Sequence, residues 1–112
     1  MAYDEDMVNR LRELLADRDA VTEKRMFGGL AFLLHGNMTV AASRTGGLLV
    51  RVAPAEAPEV LKRPHAMQME MGQGRRPEGW ILVAPEGVKT KRRLEPWVRH
   101  SLAYVETFPP KR

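Results

Sequence analysis

The sequence predicts an α+β domain with a single antiparallel sheet and helices mainly on one side of it. Apolar residues recur at helical spacing near the N-terminus, a glycine-flanked hairpin pattern occupies residues 23–40, and a second helical stripe lies at residues 90–108. The predicted order is helix, three or four strands, helix, two strands and helix, that is α-β(3–4)-α-β(2)-α. At 112 residues the chain is long enough for one core, so we expect residues 1–112 to form one domain.

The first helix is predicted over residues 4–17. Val8, Leu11 and Leu15 recur at the spacing of one helix face, and Leu14 widens the apolar stripe. Acidic residues occupy the first turn, where the helix dipole favours negative charge. A polar break follows, and the first strand is expected to begin near Val21.

The strand at residues 30–34 is predicted to be central in the sheet, because Leu30, Phe32 and Leu34 alternate with Ala31 and Leu33 and both faces are apolar. Gly36 and Asn37 are predicted as a two-residue hairpin loop, since both tolerate positive φ. The inward-facing residues are then expected to be Leu30, Phe32, Leu34, Met38 and Val40.

The Gly28-Gly29 pair has two interpretations. One is a bend where a side chain would collide with a neighbouring element. The other is a set of backbone N–H groups open to an anion. No Ser, Thr or Lys is placed to complete a phosphate site, so the bend is favoured.

The second half of the chain predicts a strand at residues 48–52, a short helix after Pro54 or Pro58, and a strand at residues 80–83. Met67, Met69 and Met71 alternate with polar residues, which predicts a strand with a methionine face. We expect these methionines to pack against a helix. The alternatives are an adaptable binding surface or ligation of a soft metal.

The last helix is predicted from Thr90, a suitable N-cap, to Phe108. Pro96 leaves two alternatives: the regular helix begins at Glu95, or a turn at residues 91–94 kinks into it. Its apolar stripe is Leu94, Trp97, Val98, Leu102, Val105 and Phe108.

Composition excludes several classes of protein. The chain has no cysteine, which excludes disulfides, thiol catalysis and cysteine zinc sites. No apolar run approaches the roughly 20 residues of a membrane helix. The N-terminus is acidic and lacks a hydrophobic region, so no signal peptide is predicted and the cytoplasm is the expected compartment.

No pattern indicates catalysis. His35, His65 and His100 have no partner at metal-pair spacing, and no nucleophile, dinucleotide or Walker motif is present. We therefore expect no enzyme activity, no catalytic residue, no cofactor and no metal site.

The positive charge is concentrated in the second half of the chain. Residues 1–61 carry 7 Lys/Arg and 9 Asp/Glu, a net charge of −2, whereas residues 62–112 carry 11 and 5, a net charge of +6. These cations are interpreted either as a solvated face or as a basic ledge that contacts phosphates without reading bases. No helix-turn-helix, zinc finger or aromatic RNA motif accompanies them. The ledge consists of Arg75, Arg76, Lys89, Lys91, Arg92 and Arg93.

Several blocks resemble one known family. Lys-Arg-Met-Phe-Gly-Gly-Leu-Ala-Phe at residues 24–32 and Gly-Asn-Met at residues 36–38 are similar to the N-terminal domain of the TfoX/Sxy family of bacterial competence regulators. Residues 50–52, 79–80 and 94–103 also fit, so the resemblance covers nearly the whole chain. It implies a fold of the secretion-chaperone type, in agreement with the predicted order of elements.

The resemblance implies a role in transcriptional regulation of DNA-uptake competence alongside a partner regulator. Full-length regulators continue into a C-terminal helical domain, and this sequence ends at Arg112, so we expect a single-domain version. The expected function is a small non-enzymatic interaction module that acts through a protein partner. The alternatives are a small-ligand-binding or weakly catalytic domain that uses the open face of the sheet, and a weak non-specific nucleic-acid binder. A homodimer is a further expectation, and no membrane contact is expected.

Overall fold

The computed structural model describes residues 4–26, 28–69 and 78–110. Within these residues the predicted α+β class is confirmed, since three α-helices accompany one sheet of six strands that pair only in antiparallel fashion. The spatial order of the strands is β1-β2-β3-β4-β6-β5. In chain order the elements are α1 (Glu5–Leu15), β1 (Val21–Met26), β2 (Gly29–Leu34), β3 (Asn37–Ala42), β4 (Leu48–Arg51), α2 (Ala57–Val60), β5 (Ala66–Gln68), β6 (Trp80–Val83) and α3 (Lys91–Val105).

Helix α1 begins at a side-chain cap. The Asp4 carboxylate accepts hydrogen bonds from the backbone N–H groups of Asp6 and Met7, at 2.9 and 3.3 Å, which satisfies donors that have no partner within the helix. The predicted apolar stripe is confirmed, and Met7 is buried along with it. Its buried members are Met7, Val8, Leu11 and Leu15.

The glycine pair forms the predicted bend. Gly28 has a φ of 76°, and Gly29 is the first residue of β2, where a Cβ atom would collide with the Ala42 carbonyl oxygen of β3. A glycine is therefore required by the close approach of two backbones, and the bend interpretation is confirmed.

The next hairpin loop is shifted by one residue from its predicted position. Leu34 pairs with Asn37, so the two loop residues are His35 and Gly36, with φ values of 51° and 82°. Both residues have the left-handed conformation that a type I′ turn requires. The predicted loop at Gly36-Asn37 is wrong because Asn37 begins β3, where it is buried and its amide donates to the Pro109 carbonyl oxygen at 3.0 Å.

A β-bulge at Thr39 changes which side chains face the helices. Phe32 pairs with Val40, and Leu33 pairs with Met38, so Thr39 has no partner in β2. The extra residue breaks the two-residue alternation. Val40 faces the helices as predicted, whereas the inward orientation predicted for Met38 is wrong, because Met38 packs on the opposite face.

The main core lies between the sheet and the helices, and α3 contacts β3, β4 and α1. The prediction that the methionine strand packs against a helix is wrong. In the register of β5 and β6, Met67 lies opposite Leu82, whose side chain belongs to the other face of the sheet. Met69 packs with that same cluster, and Met71 lies outside the described residues.

Helix α3 is continuous from Lys91, so the alternative in which the regular helix begins at Glu95 is wrong. The Thr90 hydroxyl caps it by accepting from the Arg93 N–H at 3.2 Å, as predicted. Pro96 lies inside the helix with an exposed side chain, and it has no N–H to donate to the carbonyl group four residues earlier. The predicted stripe is buried from Leu94 to Val105.

Replacing Trp97 with alanine tests the packing of α3. Trp97 is 5% exposed, in the main core, so Trp97→Ala should lower the free energy of unfolding by about 3–5 kcal/mol. Chemical denaturation measures the change. Met67→Ala is the control, because Met67 is 46% exposed and its truncation should be nearly neutral. A nearly unchanged midpoint for Trp97→Ala would contradict this packing.

The ion pair between α1 and β1 gives a pH-dependent contribution to stability. Arg12 donates to both carboxylate oxygens of Glu23, each at 2.8 Å. The hydrogen bonds from Arg12 lower the pKa of Glu23 below its ordinary value of 4.5, the Arg12 charge adds to this, and partial burial opposes it. Because the folded pKa is depressed, the stabilisation is present above the unfolded pKa and is lost as pH falls through the folded pKa.

The variant Glu23→Gln should therefore be less stable than the wild type by about 0.2–1 kcal/mol at neutral pH, as for an exposed pair. The difference should shrink as the pH is lowered from 4.5 toward strong acid. Urea unfolding across this pH range measures the difference in stability. The control is Glu59→Gln, which removes the carboxylate of the exposed pair with Lys62. A difference that stays constant in acid would contradict the pKa assignment.

Candidate interaction surfaces

The face of the sheet opposite the helices is apolar, and we call it the open face. Its central side chains are buried by their neighbours, whereas Met67 is 46% exposed. In the described part of the chain, no helix contributes a side chain to this cluster. Its members are Met26, Ala31, Leu33, Met38, Ala41, Leu49, Met67, Met69, Trp80 and Leu82.

The charged residues of the open face are basic. Lys24 lies opposite Ala31 in the β1–β2 register, and Arg51 lies opposite Trp80 in the β4–β6 register. Among the described strands the single carboxylate is Glu23, which lies opposite Phe32 on the helix side and binds Arg12 there. The open face therefore combines an apolar centre with positive charge and no strand carboxylate.

Arg51 links the open face to Phe108, which follows α3. Its guanidinium lies 4.7 Å from the ring centroid of Phe108 and 5.7 Å from that of Trp80, within the range of cation–π attraction. Its Nη1 also donates to the Met38 carbonyl oxygen at 3.4 Å, and Phe108 packs edge-on against Tyr104. These contacts hold the guanidinium in one place at the end of the open face.

The described members of the basic ledge lie in different surroundings. Lys91 pairs with Glu13 of α1 at 3.1 Å, and Lys89 lines a cavity together with Asp4 and Asp6. Arg92 is exposed, and no ion pair joins it to another described residue. Carboxylates thus lie close to two of the ledge cations. Arg75 and Arg76 lie outside the described residues.

Arg93, the remaining ledge residue, turns toward a cavity that the sequence does not indicate. This cavity of about 320 Å³ lies between α3, the 3-10 turn at Pro85–Val88 and the segment that follows α2. We call it the arginine cavity. It is lined by Arg63, Pro64, His65, Gly87, Arg93 and Trp97.

No sequence motif marks Arg63 or His65 as part of a site. His65 is 28 positions from Arg93, and only the fold brings the two residues together. The three histidines do not converge: His35 is in a hairpin turn, His65 lines the arginine cavity, and His100 pairs with Glu56 at 3.2 Å. Within the described ranges, no three His, Asp or Glu side chains are arranged to hold a metal ion.

Comparison with known proteins identifies one family. The family model described as the TfoX N-terminal domain matches residues 13–105. No curated protein and no solved structure matches the chain. Among the described residues, no helix combines the length and the apolar character needed to cross a membrane.

The divided ledge predicts weak binding to nucleic acid. Arg92 and Arg93 are the described ledge cations available to contact phosphates. Each contact lowers the slope of log K against log salt concentration by about 0.9 on duplex DNA, so this slope should be no steeper than about −2. Fluorescence anisotropy with labelled duplex at two salt concentrations measures the slope. The test pair is wild type against Arg92→Glu/Arg93→Glu, with Lys62→Glu/Arg99→Glu as the control for net charge. Sub-micromolar binding at physiological salt, abolished only by the first double variant, would contradict this prediction.

Proposed function

The chain belongs to the TfoX N-terminal domain family, and from this premise we propose that it is a non-enzymatic interaction module that binds a protein partner through its open face. The family suggests a competence-related regulatory role. The finer proposal is regulation of transcription or of DNA-uptake competence, exerted in the cytoplasm through that partner.

The observation that carries the proposal is the apolar open face. Apart from Met67, which is 46% exposed, its described apolar side chains are buried or half-buried. An apolar patch that no described helix covers is typical of a binding surface. Methionine side chains are flexible and polarizable, which suits them to irregular partner surfaces, and Met38, Met67 and Met69 all belong to this face. Trp80 adds an aromatic residue of the kind that often carries binding energy.

The charge of the face indicates the chemistry of the partner. Lys24 and Arg51 flank an apolar centre, and none of the described strands places a carboxylate on this face. Complementary potential favours association with an acidic surface. The proposed partner therefore presents apolar side chains flanked by Asp or Glu.

The form of the face favours a protein over a small ligand. Five of the cavities in the described part of the chain, with volumes of about 320–440 Å³, have no methionine of the open face among their lining residues. Small-molecule sites are usually concave and enclose most of the ligand. A broad sheet face suits a macromolecular contact.

A second copy of this chain is the competing occupant. Pairing through the edge strand β1 is opposed by its exposed charged residues, Glu23, Lys24 and Arg25, since charge on an edge disfavours strand addition. A dimer through the open face would place the Lys24 and Arg51 side chains of both copies on one interface. Like charges there disfavour self-association relative to an acidic partner.

Charge changes on the two faces of one strand test the proposal. Lys24→Glu alters the open face, and Arg25→Glu makes the same change on the opposite face of β1. Lys24→Glu and Met67→Glu should each lower the amount of partner captured from native lysate by tenfold or more. Met67→Glu places a carboxylate in the apolar surface. A tenfold loss of affinity corresponds to about 1.4 kcal/mol of binding free energy. Arg25→Glu should retain the partner. Quantitative mass spectrometry measures the bound partner, and a competence-gene reporter measures the regulatory output.

A partner retained by Lys24→Glu and Met67→Glu, or lost equally with Arg25→Glu, would contradict the use of the open face. Light scattering distinguishes the competing occupant: a species larger than 12.7 kDa that Met67→Glu converts to monomer would show that a second copy covers the face. Thermal melts of all three variants establish that each remains folded.

A further inference from the structure

The arginine cavity has positive charge among its described lining residues. The cationic ones are Arg63 and Arg93, and none of the lining residues that the structure describes is Asp or Glu. Within the described residues neither arginine forms an ion pair. This differs from Lys91, Arg12, Arg18 and Arg99, each of which meets a carboxylate within 3.1 Å.

Both guanidinium groups are held in place by contacts that leave donors free. The Arg63 guanidinium lies over the indole ring of Trp97, 4.0 Å from its centroid, and Trp97 is itself 5% exposed and fixed in the core. Arg93 uses Nη1 to donate to the Glu86 carbonyl oxygen at 2.8 Å. A guanidinium has five N–H donors, and no other described residue accepts a hydrogen bond from either arginine, so the remaining donors are available to a bound anion.

The backbone places an imidazole at the wall of the same cavity. His65 has a φ of 69°, which is rare for a residue with a side chain, and its carbonyl oxygen accepts from the Ala84 N–H at 2.9 Å. A Cβ atom at Gly87 would stand 2.8 Å from the His65 Cβ. The absence of a side chain at Gly87 thus allows the imidazole to lie against the 3-10 turn at the cavity wall.

The charge and donors select a class of ligand. Two arginines give the cavity a charge of +2, with one imidazole as a further polar group. A phosphomonoester carries a charge of about −1.5 to −2 near neutral pH and has three terminal oxygens, whereas a phosphodiester carries a single negative charge. Guanidinium groups match the geometry of phosphate oxygens through paired hydrogen bonds. We propose that the arginine cavity binds the phosphate group of a small phosphomonoester.

This site is separate from the open face. Trp97 and the Val83 side chain that touches the Gly87 position belong to the core on the helix side of the sheet. The proposal therefore does not rest on the proposed protein partner. Changes in the arginine cavity test it without altering any residue of the open face.

Titration with inorganic phosphate, followed by NMR of the ¹⁵N-labelled full chain, tests the site. We expect saturable shifts of the Gly87 amide and the Trp97 indole N–H, with the Trp80 indole unchanged as an internal reference. Binding should be in the millimolar range or tighter. Arg93→Gln and Arg63→Gln should each weaken it about tenfold or more, as expected for loss of charge-assisted hydrogen bonds. Dimethyl phosphate, a diester with one charge, should bind at least about tenfold more weakly than inorganic phosphate.

The matched control is Arg92→Gln, which removes the same charge from the same turn of α3 at a residue that does not line the cavity. It should change the affinity by less than about twofold, as for a screened surface charge. Because Arg63→Gln also removes the contact with Trp97, a thermal melt accompanies it. If that variant is unfolded, exposed Arg93 carries the test alone.

Three results would overturn the proposal. One is the absence of saturable shifts at Gly87 and Trp97 with inorganic phosphate. Another is an equal loss of affinity with Arg92→Gln and Arg93→Gln, which would indicate a general electrostatic field. The third is binding of dimethyl phosphate as tight as that of inorganic phosphate, which would remove the selectivity for a monoester.

Discussion

A buried hydrogen bond between α3 and the bulge of β3 is the contact on which the arrangement of this domain depends. The Ser101 hydroxyl, fully buried, donates to the Thr39 carbonyl oxygen at 2.9 Å, and the Thr39 hydroxyl donates to the Phe32 carbonyl oxygen at 2.8 Å. The bulge takes Thr39 out of register with β2, so its polar groups need partners from elsewhere. A buried carbonyl without a partner costs about 1–3 kcal/mol. Ser101 therefore fixes where α3 crosses the sheet.

The same bulge determines the composition of both faces. Because one extra residue separates Met38 from Val40, the two side chains lie on opposite sides of the sheet. Val40 completes the surface that α3 covers, and Met38 is added to the open face. The sheet is apolar on both sides, but the described helices pack on one. The apolar surface that remains is the physical basis of the proposed protein contact.

The position of α3 also separates the cations of its first turn. Successive residues of a helix point about 100° apart, so Lys91 reaches Glu13 of α1 while Arg93 reaches the carbonyl oxygen of Glu86. Arg93 then lines the arginine cavity with Arg63, and neither arginine forms an ion pair with another described residue. The domain thus has two chemically different surfaces on opposite sides of one sheet. One is apolar with basic residues at its edges, and the other is a small cationic cavity.

The sequence by itself determined the element types and their order, because helical spacing, two-residue alternation and the Thr90 cap are local signals. It also indicated the Gly28-Gly29 bend. Tertiary structure decided the rest. The bulge reversed Met38, the β5–β6 register placed Met67 on the open face, and burial of Asn37 moved the hairpin loop to His35 and Gly36. The arginine cavity was invisible in the sequence because its residues are distant along the chain. Sequence spacing encodes local periodicity, whereas the facing direction of a strand and the meeting of distant charges depend on register and packing.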